Sequence, residues 1–178
     1  MFNKNFKQKQ IFGILQTLTI FGIFASLNLV GGFAQNVKPK DRSAITNCEI
    51  VENRINRKFD SFVENRKQHL EIFGKSQSRS KGFLNQAKEQ KLDTIQLEND
   101  LKVLEEKIQA FGRKTYEYEL SIEITRDNAC KKPEPDFRNS LNRSREELIQ
   151  VQVAAQSVKK FFETDIIPDI QEIKSQIK

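Results

Sequence analysis

Chemistry in this 178-residue chain would have to come from one histidine, two cysteines and a few paired acids and serines. His69 stands alone: a single imidazole cannot build a multi-histidine cage, and no Cys, Asp or Glu lies at ligand spacing on its helical face. It reads as a residue at the edge of a buried face, beside Leu70. Glu105-Glu106 and Glu146-Glu147 are paired carboxyls, but helical neighbours point about 100° apart and basic residues flank both pairs at helical spacing. They read as solvated faces. Ser76, Ser78 and Ser80 have no base in a recognisable arrangement, so a hydrolytic serine is not expected. Gly74-Lys75-Ser76 has the ending of a phosphate-binding loop, yet that motif needs a glycine five residues upstream, where this chain has His69. Asn142-Arg143-Ser144 matches a glycosylation acceptor but falls inside a predicted helix. No catalytic, cofactor-binding or metal-binding residue is expected, and the chain reads as a non-enzymatic protein.

Cys48 and Cys130 take their meaning from the elements around them, and the first of these is a leader. Residues 1–10 are polar and basic, whereas Ile11 to Ala34 carry no charge and end in Gly32-Phe33-Ala34, with small residues at the two positions a signal peptidase reads before Gln35. The pattern predicts a signal peptide over 1–34. Its alternative is an uncleaved anchor, since 24 uncharged residues at about 1.5 Å each span roughly 36 Å against a bilayer core of about 30 Å. Either way the remainder is exported: secreted, periplasmic or at the cell surface. Residues 35–45, with Pro39 and alternating lysines, read as a tether.

The rest predicts three helices. Thr46 and Glu49 have the spacing of a capping box, and Val51, Ile55, Phe59, Phe62, Val63, Leu70 and Phe73 follow at three- and four-residue steps. The polar stretch from Gly74 to Gly82 weakens this first helix, expected to about residue 90, or loops out of it. Asp93 to Gln96 gives a second capping signal. The series Leu97, Leu101, Leu104, Ile108, Phe111, Thr115, Tyr118, Ile122, Thr125 and Ala129 then alternates steps of four and three, the seam of a coiled coil, over a helix of about 94–129. Pro133 and Pro135 should end it, and Asp136 should open a third helix of about 136–177. Phe137, Leu141, Ser144, Leu148, Val151, Ala155, Val158, Phe162, Ile166, Ile170, Ile173 and Ile177 line that helix, and Pro168 should kink it. The expected fold is all-α, an elongated antiparallel three-helix bundle or coiled coil over 46–178.

In such a hairpin, turning near residue 92, Cys48 and Cys130 fall at the same end. Their distances from the turn differ by six residues, about 9 Å of helix, which looping out of 74–82 could absorb. Export favours a Cys48–Cys130 disulfide over free thiols or an intermolecular bridge.

Charge narrows the partners. Lys4, Lys7 and Lys9 supply half of the net charge of +6, and basic residues alternate with acids along every predicted helix. Nucleic acid is therefore not expected as a partner. Membrane contact is expected only through residues 11–34 if they are retained, and the oligomeric state is open.

A leader, a Cys near the start of the first helix, a heptad helix ending in Ala129-Cys130, and a third helix carrying Asp165-Ile166-Ile167-Pro168-Asp169-Ile170 together resemble small exported helical proteins of candidate-phyla bacteria. The resemblance implies export and a helical fold and carries no activity. The chain is also similar to the Skp-like periplasmic chaperones, which are basic, coiled-coil and of comparable length. Those build a β-rich trimerisation body, and no alternating strand pattern occurs here. The expectations are a structural or protein-interaction module of the cell envelope, with a holdase chaperone as the alternative.

Overall fold

The computed structural model describes residues 47–131 and 133–177, with the side chains of residues 47 and 130 excepted. The leader, the tether and the cap expected at Thr46 lie outside the described residues. Three long helical stretches account for nearly everything else, and no strand occurs among the described residues. They are α1 (Asn47–Glu89), α2 (Ile95–Lys131), and a third rod made of α3 (Glu134–Phe161), a π-helical turn (Phe162–Ile166) and α4 (Ile167–Ser175). The fold is an antiparallel three-helix bundle.

The helix α2 is central because its heptad seam is real. Leu97, Leu101, Leu104, Phe111, Thr115, Tyr118, Ile122 and Thr125 are all buried, while Ile108 and Ala129 are half-buried. Both other rods pack on it, whereas α1 and α3 barely touch one another. Toward the α1–α2 turn, Phe73, Phe83 and Ala87 of α1, Leu97, Leu101 and Leu104 of α2, and Val158, Phe162, Ile166, Ile170 and Ile173 of the third rod are all buried.

The first helix is unbroken, so the looping out of 74–82 does not occur. Gly74 and Gly82 each cost about 1 kcal/mol of helix propensity. Burial of Phe73, Phe83 and Ala87 on either side offsets this, and the Ser80 hydroxyl, itself buried, donates back to the Ser76 carbonyl at 3.0 Å. Val63 and Leu70, expected in the apolar stripe, lie at its exposed margin; the inward positions are Phe62, Arg66, His69 and Phe73, a regular four-three-four series. Arg66 spends its charge on Glu119 of α2.

The connection between α1 and α2 is a Schellman turn. The Leu92 N–H donates to the Ala87 carbonyl at 3.1 Å and the Lys91 N–H to Lys88 at 2.9 Å. Lys91 adopts φ 58°, the left-handed position that glycine normally fills. The start of α2 is set one residue later than the sequence suggests. Asp93 Oδ1 accepts from the Ile95 N–H at 3.2 Å, and the buried Thr94 hydroxyl donates to Glu98 at 2.9 Å. Lys88 closes the same corner by pairing with Glu98 at 2.8 Å, which with the Thr94 bond holds the Glu98 carboxyl below its ordinary range.

Of the three prolines among the described residues, Pro133 and Pro135 follow the end of α2 at Lys131 as expected but do not delay the next helix to Asp136. The third rod begins at Glu134, before Asp136, because Pro133 takes the cap position and Pro135 sits in the first turn, where a missing N–H leaves nothing unsatisfied. Pro168 produces a π turn just before it, with the Ile167 N–H reaching the Phe162 carbonyl. The apolar spacing explains this placement: Val158, Phe162, Ile166 and Ile170 run four-four-four. An α-helix would carry such a series progressively off the buried face, and one wider turn brings it back.

Replacing Lys91 by glycine removes a left-handed penalty of about 1 kcal/mol and should raise the melting temperature by roughly 3 to 5 °C in a thermal melt, without changing the helical circular dichroism. Unchanged or lower stability would show that Lys91 is held by contacts beyond its backbone.

Candidate functional site

The residues singled out for chemistry remain apart. Gly74, Lys75 and Ser76 are mid-helix, with Lys75 paired to Glu71. Glu105 takes Lys81 at 3.0 Å and Gln77 at 3.3 Å, an exposed surface arrangement. Asn142 lies within α3 and accepts from Arg145 at 3.3 Å. Among the described residues no group of three or more His, Cys, Asp or Glu is placed to hold a metal ion, and no helix is long and apolar enough to cross a membrane.

His69 is built into the α1–α2 seam. Its ring stacks on Phe73 at 5.9 Å and meets the edge of Phe111 at 6.1 Å, while Phe73 and Phe111 contact each other at 5.4 Å. Half-burial in this aromatic cluster disfavours the imidazolium and lowers its pKa below 6.5. Two turns further along, Phe62 stands edge-on to Tyr118 at 4.4 Å, and burial raises the Tyr118 hydroxyl to about 12.

From Thr115 onward the α2–α3 interior is richer in small polar residues. Thr115, Ser121, Thr125, Ser140 and Ser144 are buried small polar residues. Each of the first four satisfies its hydroxyl on its own helix, as Thr125 does on the Ser121 carbonyl at 2.8 Å. Thr125 and Ser144 then bond each other across α2 and α3 at 2.7 Å. Opposite them, α1 leaves Val51, Ile55, Phe59 and Phe62 only half-covered. Outward-facing apolar residues add to this: Tyr116, Leu120 and Ile124 on successive turns of α2, and Ile149 and Val153 on α3.

Cys48 lies in the first turn of α1, half-buried, and no cysteine among the described residues is free. Position 130 belongs to the last turn of α2; its side chain lies outside the described residues. The antiparallel course brings these two helix ends to the end of the bundle away from the α1–α2 turn.

Sequence reasoning missed a pair of acids. Asp169 of α4 faces Asp100 of α2, which is itself held by Gln96 at 2.9 Å. Each is the immediate neighbour of a buried seam residue, Leu101 or Ile170, and that adjacency is the signal that marks them as flanking the core.

No family model, curated protein or solved structure matches this chain. The class is defined by the fold alone: an all-α bundle whose candidate site is a partly covered apolar surface.

His69 should titrate in an NMR experiment with a midpoint below 6.5. Between the unfolded pKa of about 6.5 and the lower folded value, the unfolded chain binds the extra proton, so folding stability should fall as pH drops through that window. His69→Phe should abolish this part of the pH dependence; an unaltered slope would assign it to other groups.

Proposed function

We propose that the chain is a non-enzymatic structural or protein-interaction module of the cell envelope, exported by residues 1–34. The observation that carries this reading is the half-covered stripe of Val51, Ile55, Phe59 and Phe62 on the half of α1 away from the α1–α2 turn. Apolar side chains at helical spacing on a long, otherwise charged rod suit a partner helix laid alongside. The outward residues Tyr116, Leu120 and Ile124 extend the apolar surface available to it. Charge of mixed sign, with net +6 on the whole chain, favours a protein partner over a polyanion.

The chain lacking residues 1–34 should sediment with isolated native envelopes, and protease treatment of those envelopes should remove the binding. Phe59→Asp should weaken it at least tenfold while leaving helicity intact. Binding that survives both protease and Phe59→Asp would overturn this reading. Suppression of client aggregation by an oligomer of the chain would support the holdase alternative instead.

The same reading includes a Cys48–Cys130 disulfide as a clamp across the end away from the turn. Its support is the antiparallel course of α1 and α2 and the fact that no cysteine among the described residues is free; the six-residue offset is not taken up by 74–82, where α1 is unbroken. Closing a loop of about 80 residues contributes roughly 4 kcal/mol in the chain-entropy model. In protein from the native source, neither thiol should alkylate until reductant is added. Alkylation of both without reductant would remove the clamp.

A further inference from the structure

The third rod ends in a segment joined to the remainder through the π turn and Pro168, and a pair of acids sits where that segment meets α2. The nine-residue α4 is held by apolar contact through Ile170 and Ile173, by Lys174 lying over the Phe83 ring at 5.9 Å, and by the Gln176 side chain accepting from the Asp93 N–H at 3.0 Å. Against these stands Asp169, whose Oδ2 is shut off from water and has no hydrogen-bond partner among the described residues.

An ionised carboxylate oxygen in that position loses hydration and gains nothing in return. The charges that act on Asp169 make this worse. Asp100 faces it from α2, and Asp165 and Glu172 flank it on its own rod, all of them acidic. Two cations at this end are engaged elsewhere: Lys174 of α4 lies over Phe83 of α1, and Lys88 of α1 pairs with Glu98 of α2. A proton on the pair cancels the repulsion and lets one carboxyl donate to the other, as two carboxyls sharing a site do.

We propose that Asp100 and Asp169 form a proton-operated latch, in which one shared proton holds α4 against α2 and its release to solvent loosens the segment beyond the π turn. Burial and the neighbouring acids raise Asp169 to about 7, which sets the working range. The folded pKa lies above the unfolded one, so the latch contributes fully below the ordinary Asp value of about 3.9 and is lost as pH rises through about 7. The π turn is the natural pivot, because its ladder is already interrupted there and Pro168 has no N–H to rejoin it.

Hydrogen exchange of the whole chain tests this. After correction for intrinsic rates, protection of residues 167–175 should fall on the order of tenfold between about pH 5.5 and about pH 8. Asp169→Asn removes the titrating group, so in that variant the fall should disappear; Asp100→Asn removes the facing acid but leaves the burial of Asp169 and its neighbours Asp165 and Glu172, so there the fall should shrink and move to lower pH. His69 titrates toward the acid side of this range but lies between Phe73 and Phe111, so its effect falls on α1 and α2. A carbon-13 titration of the Asp169 carboxyl provides an independent readout, expected well above the ordinary aspartate midpoint. Constant protection in the wild type, an equal fall in both variants, a loss spread evenly over α1 and α2, or an ordinary Asp169 midpoint would each overturn the latch.

Discussion

The packing of α2 is the constraint on which the bundle depends. It carries the one uninterrupted seam, and α1 and the third rod are fixed in space mainly by lying against it rather than against each other. A central helix used from two sides must bury a broad face. The cost of placing Thr115, Ser121 and Thr125 in that face is met locally, by back-bonds to carbonyls three or four residues earlier. The polar seam is thereby satisfied before any tertiary contact forms.

The two halves of the seam do different work. Toward the α1–α2 turn, leucine, isoleucine and phenylalanine give non-directional burial that any nearby register would partly reproduce. Away from it, Thr125 and Ser144 form a directed bond that fits one alignment of α2 against α3 and would leave the buried Ser144 hydroxyl without its Thr125 partner in a shifted one. Lys107 adds a second directed contact, to Ser157 at 3.1 Å and over the Phe161 ring at 5.2 Å. Non-directional burial is concentrated toward the turn, whereas directed α2–α3 contacts occur in both halves.

The heptad of α2 was fully legible because spacing alone determines which side of a helix is wet. The α1 stripe was less so. His69 and Arg66 hold inward positions that hydrophobicity would give to Val63 and Leu70, and only the three-four period locates them correctly. Pro135 misled for a related reason: a proline says where a backbone donor is missing, while the neighbouring geometry decides whether a donor was needed. At Pro135 it was not, and at Pro168 the four-four-four spacing had already required a wider turn. The Asp100–Asp169 pair was illegible, since residues 69 apart in the chain meet only through the register of two helices that no local pattern encodes.

The short Schellman connection has a consequence for how the molecule assembles. A turn closed within a few residues brings the ends of α1 and α2 together at little loop-closure entropy, so each further pairing adds to one already made. The apolar residues of α1 nearer the turn, Phe73, Phe83 and Ala87, are also buried, whereas Val51, Ile55 and Phe59 at the far end are half-buried. The first contacts between α1 and α2 are therefore favoured beside residue 91, where the least chain has to be closed.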